Sequence, residues 1–428
     1  MSELPLHGGD PSVLRRLNSA ATLRALREDG EATLSGLAGR VGLSRPTTEG
    51  VLADLTARGL VDEAPPRQGA GLGRPARRYR FRAEAGHALG IEIDAHRTRL
   101  FLADLAGTVV GRHRADLEAD QPPAERLAAV RAAVKTCLAD AGIDRRSLRA
   151  VAAGTPGVVA PDGVVAFCTV VPGWEGVDLG RELGRSFPCP VLVENDANLA
   201  AVAERWHGAA READDVVCVH AGSHTGIGTL IGGRLHRGRW GAAGEIGKLP
   251  ELGLYDTTAV LSGAESAGAL LDGIAPSGAG ARRVLDAAGR AERVLDAAAR
   301  AERVLDAAGR AEPAASALVA ALAERMARGV AAMALALDPE MIVVGGPLVR
   351  PGGPLVPELR RRVRPLCLSP VRIEASTLGD EAVGLGAVRL ALDRIDEDLF
   401  SLDRPAQAPA ESPAESGEER QDRPAPSA

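Results

Sequence analysis

Two groups of side chains in this sequence have types and spacing that could do chemistry. Glu194-Asn195-Asp196-Ala197-Asn198 directly follows the apolar run Pro190–Val193. Polar residues placed there sit at the carboxyl end of a strand, where ligands of α/β proteins collect. Carboxylates and amides at such a position suit a ligand rich in hydroxyls. Taken alone, the same five residues read equally well as the capped start of a helix. The second group lies near the N-terminus, where Arg45, Thr48 and Glu49 share one helix face at i, i+3 and i+4. An arginine there can donate to guanine, and a threonine can touch a thymine methyl or a phosphate. Arg40 and Arg58 stand ready for backbone phosphates, and Arg74, Arg77 and Arg78 add sequence-independent affinity through counterion release or minor-groove insertion.

These residues need elements to position them. Leu14–Arg27 has helical spacing through Leu14, Leu17, Ala21, Leu23, Ala25 and Leu26, and Asp29-Gly30 ends it. Leu34–Val41 and Arg45–Arg58 repeat the pattern around the tight turn Gly42-Leu43-Ser44. Ser44 can cap the second of these helices, and Pro46 is tolerated because the first helical turn needs no amide donor. Thr47, Val51 and Leu55 are expected to face the first helix. Leu60-Val61 and the run RRYRFR then read as a two-stranded ribbon with a loose Gly/Pro-rich tip. Residues 1–82 thus predict a winged helix-turn-helix whose second helix enters the major groove. The competing reading is a small helical dimerisation domain.

Charge supports the DNA reading. Residues 1–82 hold 13 arginines against 9 acids, a net of +4, which leaves −10 on the remaining 346 residues. Ala64–Arg82 contains six arginines and no acid. A basic module on an acidic body suggests that one end meets a polyanion. The 428 residues exceed one ordinary core, and with 45% hydrophobic and 25% charged residues the chain is globular in composition. No apolar run is long enough to span a bilayer and the N-terminus lacks a leader pattern, so a cytoplasmic protein without a membrane partner is expected. Five scattered cysteines, none in a CxxC, imply neither a disulfide framework nor a clustered metal site.

From His87 onward, short apolar strands alternate with helices: ALGIEI, RTRLFLADL, RAVAAGTPGVV, VLVEN, DVVCVHAG, GTLIGGRL and MIVVGG against 124–140, 197–206 and 314–337. The body is therefore α/β. Residues 283–312 are a tandem decapeptide, RVLDAAGRAE, RVLDAAARAE, RVLDAAGRAE. Ten residues at ~100° each rotate the Val-Leu pair by ~80° per copy, so no single buried stripe survives three copies. A largely solvated helical insertion is expected, with a partner-binding helix as the alternative. Residues 401–428, rich in Pro, Ala, Glu and Ser, read as a disordered tail.

Several segments of the body resemble the ROK family of repressors, open reading frames and kinases. These are Gly154-Thr155-Pro156-Gly157-Val158-Val159, Pro172-Gly173-Trp174, Glu194–Asn198, Gly241-Ala242-Ala243-Gly244-Glu245-Ile246-Gly247, Asp338-Pro339 and Gly345-Gly346, in family order between about His87 and Leu392. With LSRPT and GRPAR in front, the arrangement is similar to the repressor branch. The resemblance implies a duplicated actin-like, ribonuclease-H-like body of the sugar-kinase type over 87–393, with its ligand in a cleft between two lobes. It also implies roles: Asp196 as general base in a kinase, and Asn195, Asp196, Glu245 and Lys248 at the sugar.

Departures from the family pattern are informative. Lys248 stands where sugar-binding members commonly have His, and Val170 where an Asn precedes the PGW segment. Residues 248–262 contain neither Cys nor His, so the family's zinc motif is missing and no metal is expected. In the first phosphate loop, Glu92-Ile93-Asp94-Ala95-His96 puts a carboxylate where a glycine is needed, and His224 replaces a glycine in the second. His220, His224 and His236 read as surface or turn residues. The sequence thus points to a transcriptional regulator, a repressor, that binds an operator and a sugar or sugar-phosphate effector. It is expected to act as a homodimer or dimer of dimers, without catalysis and without a cofactor. The alternatives are an ATP-dependent ROK sugar kinase using Asp196, and a DNA-binding regulator with a dead pocket.

Overall fold

A computed structural model describes residues 11–65, 76–222, 225–254, 301 and 303–400. Arg74, Ser223, His224, the first decapeptide copy, all but Ala301 of the second, and residues 401–428 lie outside the described residues.

Helix α1 (Pro11–Asp29), strand β1 (Glu31–Thr33), helices α2 (Leu34–Val41) and α3 (Arg45–Ala57), and strands β2 (Val61–Ala64) and β3 (Arg78–Phe81) form the N-terminal head. Local chemistry sets each boundary. The Thr33 hydroxyl accepts the Gly36 amide at 3.1 Å to cap α2, and Gly42 closes it at φ 69°. The Ser44 hydroxyl accepts the Thr47 amide at 3.2 Å, the expected cap of α3, which contributes roughly 1 kcal/mol. The three strands pair antiparallel in the order β1-β3-β2. β1 is an addition to the ribbon read from the sequence; at three residues it carries no periodic signal. Leu23, Leu26, Leu37, Val51, Leu52 and Leu55 close the head core, whereas Leu14 and Leu17 are exposed.

Two five-stranded sheets build the body, and they repeat one topology. The first comprises β4 (His87–Ile93), β5 (Arg97–Asp104), β6 (Val109–Asp116), β7 (Leu148–Thr155) and β10 (Val191–Asn195), in the order β10-β7-β4-β5-β6. The second comprises β11 (Val216–His220), β12 (Gly226–Ile231), β13 (Arg234–Leu235), β14 (Met341–Gly345) and β15 (Arg372–Ala375), in the order β13-β12-β11-β14-β15. In each, three strands form an antiparallel meander and two join it in parallel. The short hairpin of β8 (Val158–Val159) and β9 (Val165–Phe167) hangs from the first sheet.

Helices layer these sheets. α4 (Pro123–Asp140) covers the outer face of the first through Leu127, Val130 and Val134, while α5 (Leu179–Gly184) buries Leu179 and Leu183 in the same core. α7 (Pro313–Leu337) and α8 (Leu355–Val363) cover the second. Between the sheets run α6 (Asp196–Trp206) and α9 (Ala382–Phe400), whose backbones touch: a Cβ on Gly386 would stand 1.9 Å from the Leu199 carbonyl oxygen. The third decapeptide is helical over 303–309, with Leu305 and Ala308 buried and Asp306 paired to Arg350 at 2.6 Å. That copy is docked rather than solvated, because the loop after β14 supplies the apolar surface it lacks alone.

Head and body meet along α1 and α9. Arg27, in the last turn of α1, donates to Asp396 of α9 at 2.7 Å and to the Leu105 carbonyl at 2.8 Å, and its guanidinium lies 5.0 Å from the centre of the Phe81 ring. The Leu105 amide bonds the Ala83 carbonyl at 2.9 Å.

Candidate functional site

The carboxyl ends of strands from both sheets converge on a cleft of about 220 Å³. β4 brings Glu92 and Asp94, the β10–α6 junction brings Asn195 and Asp196, and β11 brings His220. The stretch 245–248 brings Glu245 and Lys248, so all four residues expected at a sugar line one cavity. Gly244, at φ 89° with the Ile227 carbonyl only 2.1 Å from where a Cβ would sit, lets that stretch enter the cleft.

Within Glu194–Asn198 most polar atoms are engaged internally. Buried Glu194 accepts from the Asn195 amide (2.9 Å), the Asn198 side chain (2.8 Å) and Arg237 (2.5 Å). The Asn195 side-chain oxygen Oδ1 caps α6 by accepting the Asn198 amide at 3.0 Å, and its side-chain NH₂ donates to the Gly157 carbonyl at 2.9 Å. The capping and ligand readings are thus both realised, by different residues. Asp196 accepts the Ala197 amide at 2.7 Å through one oxygen, and its other oxygen has no protein donor among the described residues. Burial, with Asp94, Glu92 and Glu245 adding like charge, pushes its carboxyl up to about 7. Burial also raises Glu245, against the opposing pull of Lys248, whose ammonium sits 3.6 Å from the centre of the Phe167 ring.

Sequence reasoning missed two further cleft residues. Arg99 on β5 holds buried Glu92 through two hydrogen bonds, at 2.7 and 3.0 Å, and reaches Asp380 at 3.1 Å. The basic position in an alternating strand was the only available signal. His220 lines the cleft rather than the surface; burial, reinforced by Arg99, lowers it to about 4, so it is a neutral imidazole whose Nδ1 has no hydrogen-bond partner among the described residues. Among the described residues no group of three His, Cys, Asp or Glu side chains is gathered as for a metal ion.

In the head, one expected orientation is corrected. Thr48 is fully buried and its hydroxyl bonds the Ser44 carbonyl at 3.0 Å, so it cannot share an outer face with Arg45 and Glu49. The buried stripe of α3 is Thr48, Val51, Leu52 and Leu55, an i, i+3, i+4, i+7 pattern, and Thr47 points outward with Arg45 and Glu49. Arg45 has no acidic partner among the described residues. Arg40 is paired with Glu28 and with Asp29 (3.4 Å), Arg58 lies 3.9 Å from Asp54, and Arg77 lies 3.7 Å from Glu63. Arg78 is tied to Glu31 at 3.1 Å, fastening β3 to β1.

The duplicated sheets and the cleft at their strand ends define a two-lobed, sugar-kinase-like body, here carrying an added head. Residues 88–394 match the ROK family, and the chain belongs to it. The xylose repressor of Bacillus subtilis (strain 168) is 25% identical over 240 residues, which are 56% of this chain and 62% of that protein. The N-acetylglucosamine repressor of Escherichia coli O157:H7 is 28% identical over 243 residues, 56% of this chain and 59% of that one. The match therefore spans about three fifths of the length of these relatives. A crystal structure of a ROK family transcriptional regulator, a homologue of the E. coli MLC protein, superposes with a TM-score of 0.62 at 18% identity, covering 91% of this chain and 98% of that one. The ROK family glucokinase from Streptomyces griseus, solved with glucose and AMPPNP, gives 0.55 at 23% identity, covering 72% and 100%. At these identities the likeness establishes the fold. No helix among the described residues is long and apolar enough to cross a membrane.

Proposed function

We propose that this chain is a sugar-responsive transcriptional repressor: a winged helix reads operator DNA, and a sugar in the cleft sets the geometry of head against body. The observation that carries this is α3. Its outer face presents Arg45, Thr47 and Glu49, with no acidic partner for Arg45 among the described residues, on a head clasped to a ligand-cleft body by Arg27 and Asp396. Arg45 is the base-reading residue, with Arg40, Arg58, Arg74 and Arg77 contributing phosphate affinity. The relatives named for xylose and N-acetylglucosamine support a carbohydrate effector, held by Asp196, Glu245, Lys248 and the remaining N–H of Asn195. A homodimer supplies two heads for two half-sites about one helical turn apart. Operator selection from a random DNA pool, repeated with Arg45→Ala, tests the reading. Loss of discrimination at one base position, worth about 1–3 kcal/mol, is expected; an equal loss on all sequences refutes base reading by Arg45.

A second reading, an ATP-dependent sugar kinase, draws on Asp196, whose raised carboxyl suits a general base. Hexose-dependent ATP consumption abolished by Asp196→Asn would establish it. A regulator with a dead pocket is the outcome if no sugar binds.

A further inference from the structure

We propose that the cleft accepts an unphosphorylated sugar and excludes the phosphate ester of that sugar; this deepens the sugar-responsive reading and rests on it. The loop between β4 and β5 carries the argument. Its carbonyls, not its amides, are turned toward the protein's buried cation: Arg126 of α4, fully buried, donates through one nitrogen to the Asp94 and Ala95 carbonyls at 2.8 Å each. Its other terminal nitrogen takes the Glu118 and Ala119 carbonyls at 2.9 and 3.1 Å. The first two amides of the loop are engaged as well. The Asp94 amide bonds the Arg97 carbonyl at 2.9 Å, and the Ala95 amide donates to the Asp94 carboxylate at 2.6 Å. A phosphoryl group approaching this loop meets a carboxylate where it requires free N–H donors.

Two of the three cations lining the cleft are already paired with acids, and the third, Lys248, lies against an aromatic ring with Glu245 nearby. Arg99 is held by Glu92 and Asp380, Lys248 lies over Phe167, and Arg97 has Asp94 at 3.9 Å. Among the described residues, the groups left to a ligand are the second oxygen of Asp196, the Glu245 carboxylate, the remaining N–H of Asn195 and the Lys248 ammonium, beside the neutral ring of His220. That set matches hydroxyls. A phosphate monoester brings a charge of about −1.5 to −2 at pH 7. Placed on the hydroxyl that meets Asp196, it would face Asp94, Glu92 and Glu245, the same acids that act on Asp196. Like charges brought together in a part-buried site cost well over a tenfold loss of affinity.

The experiment titrates the full-length protein by calorimetry with a panel of aldoses and amino sugars and their terminal phosphates, with inorganic phosphate alone as control. At least one free sugar is expected to bind, and its phosphate ester to bind at least about tenfold more weakly. Asp94→Gly, which frees the Ala95 amide and the Arg97 charge, should narrow that gap, read as the ratio of the two affinities in the same variant. Asp94→Asn, which removes the charge and keeps the shape, serves the same purpose if the glycine variant fails to fold. An ester binding as tightly as its free sugar, or a gap unmoved in both variants, overturns the inference and leaves the sugar-responsive reading standing. If neither form of any sugar binds, the underlying reading fails and the inference with it.

Discussion

Replacing Arg27 by Ala should loosen the head from the body while leaving in place the apolar cluster that runs across the seam. Three contacts go at once. The bond to Asp396 is charge-assisted, 2.7 Å long, between side chains only 18% and 24% exposed, a setting in which such bonds are worth ~1.5–3 kcal/mol. The bond to the Leu105 carbonyl adds ~1 kcal/mol, and the stacking over Phe81 ~0.5–1 kcal/mol. Partial exposure lowers the total, so a loss of about 3 kcal/mol at the seam is expected. Asp396→Asn should cost less, about 1 kcal/mol, because its amide oxygen still accepts from Arg27. Arg389, 3.5 Å from Asp396 in the native chain, is relieved of an acid while keeping Asp393. Hydrogen exchange of the α1 and α3 amides reads this opening directly, about tenfold faster for each 1.4 kcal/mol lost. A double-mutant cycle between the two positions should yield a coupling of about 1–2 kcal/mol. A coupling below ~0.3 kcal/mol, or unchanged exchange in α1, would refute the claim that this pair holds the head.

Two other outcomes follow from the geometry. Thr48→Val should cost about 1 kcal/mol, the bond to the Ser44 carbonyl, and leave operator preference unchanged, whereas Thr48→Asp should destabilise the head by several kcal/mol as ~a buried unpaired charge; a changed base preference in the valine variant would restore Thr48 to the outer face. Asp196, raised to about 7 in the folded chain, holds its proton more tightly than it does unfolded, so its contribution to stability is complete below pH ~4 and is lost as pH rises through about 7. Asp196→Asn should therefore be more stable than the native chain at pH 8 and equal to it near pH 4, as measured by denaturant titration; an Asn variant that is less stable at pH 8 would show that burial and the neighbouring acids Asp94, Glu92 and Glu245 do not burden the carboxylate.

Periodicity made most elements legible, and chemistry between distant residues stayed hidden. The helices read at 124–140, 197–206 and 314–337 appear within a residue of their observed starts, because each follows a proline or a capping side chain. β6 escaped notice because its alternate residues are exposed and polar, and β15 because it is four residues long. On α3 the inward stripe was displaced by one residue. Thr47 and Thr48 are chemically identical, and only the run Thr48, Val51, Leu52, Leu55 distinguishes them. At the cleft, Asp196 and Glu245 were visible through motifs. The Arg99–Glu92 pair, the Arg237–Glu194 bond and the neutral state of His220 depend on which strand ends face one another, a matter of tertiary packing that no local spacing encodes.

Under the proposed operator reading, the seam at Arg27 and Asp396 would also set how such a molecule measures DNA. A head held through α1, through the Leu105–Ala83 backbone bond and across Phe81 is a fixture rather than a module on a string. Paired chains would then act as callipers whose jaw separation is a property of the bodies. One base pair inserted between half-sites turns the second by about 35° and cannot be absorbed by a slack linker. The same stiffness works as a lever. α6 and α9 both start at the cleft, and α9 ends against the head, so on the proposed reading a small rotation of the lobes about a ligand would be carried to the tips of both α3 helices as a displacement along the groove.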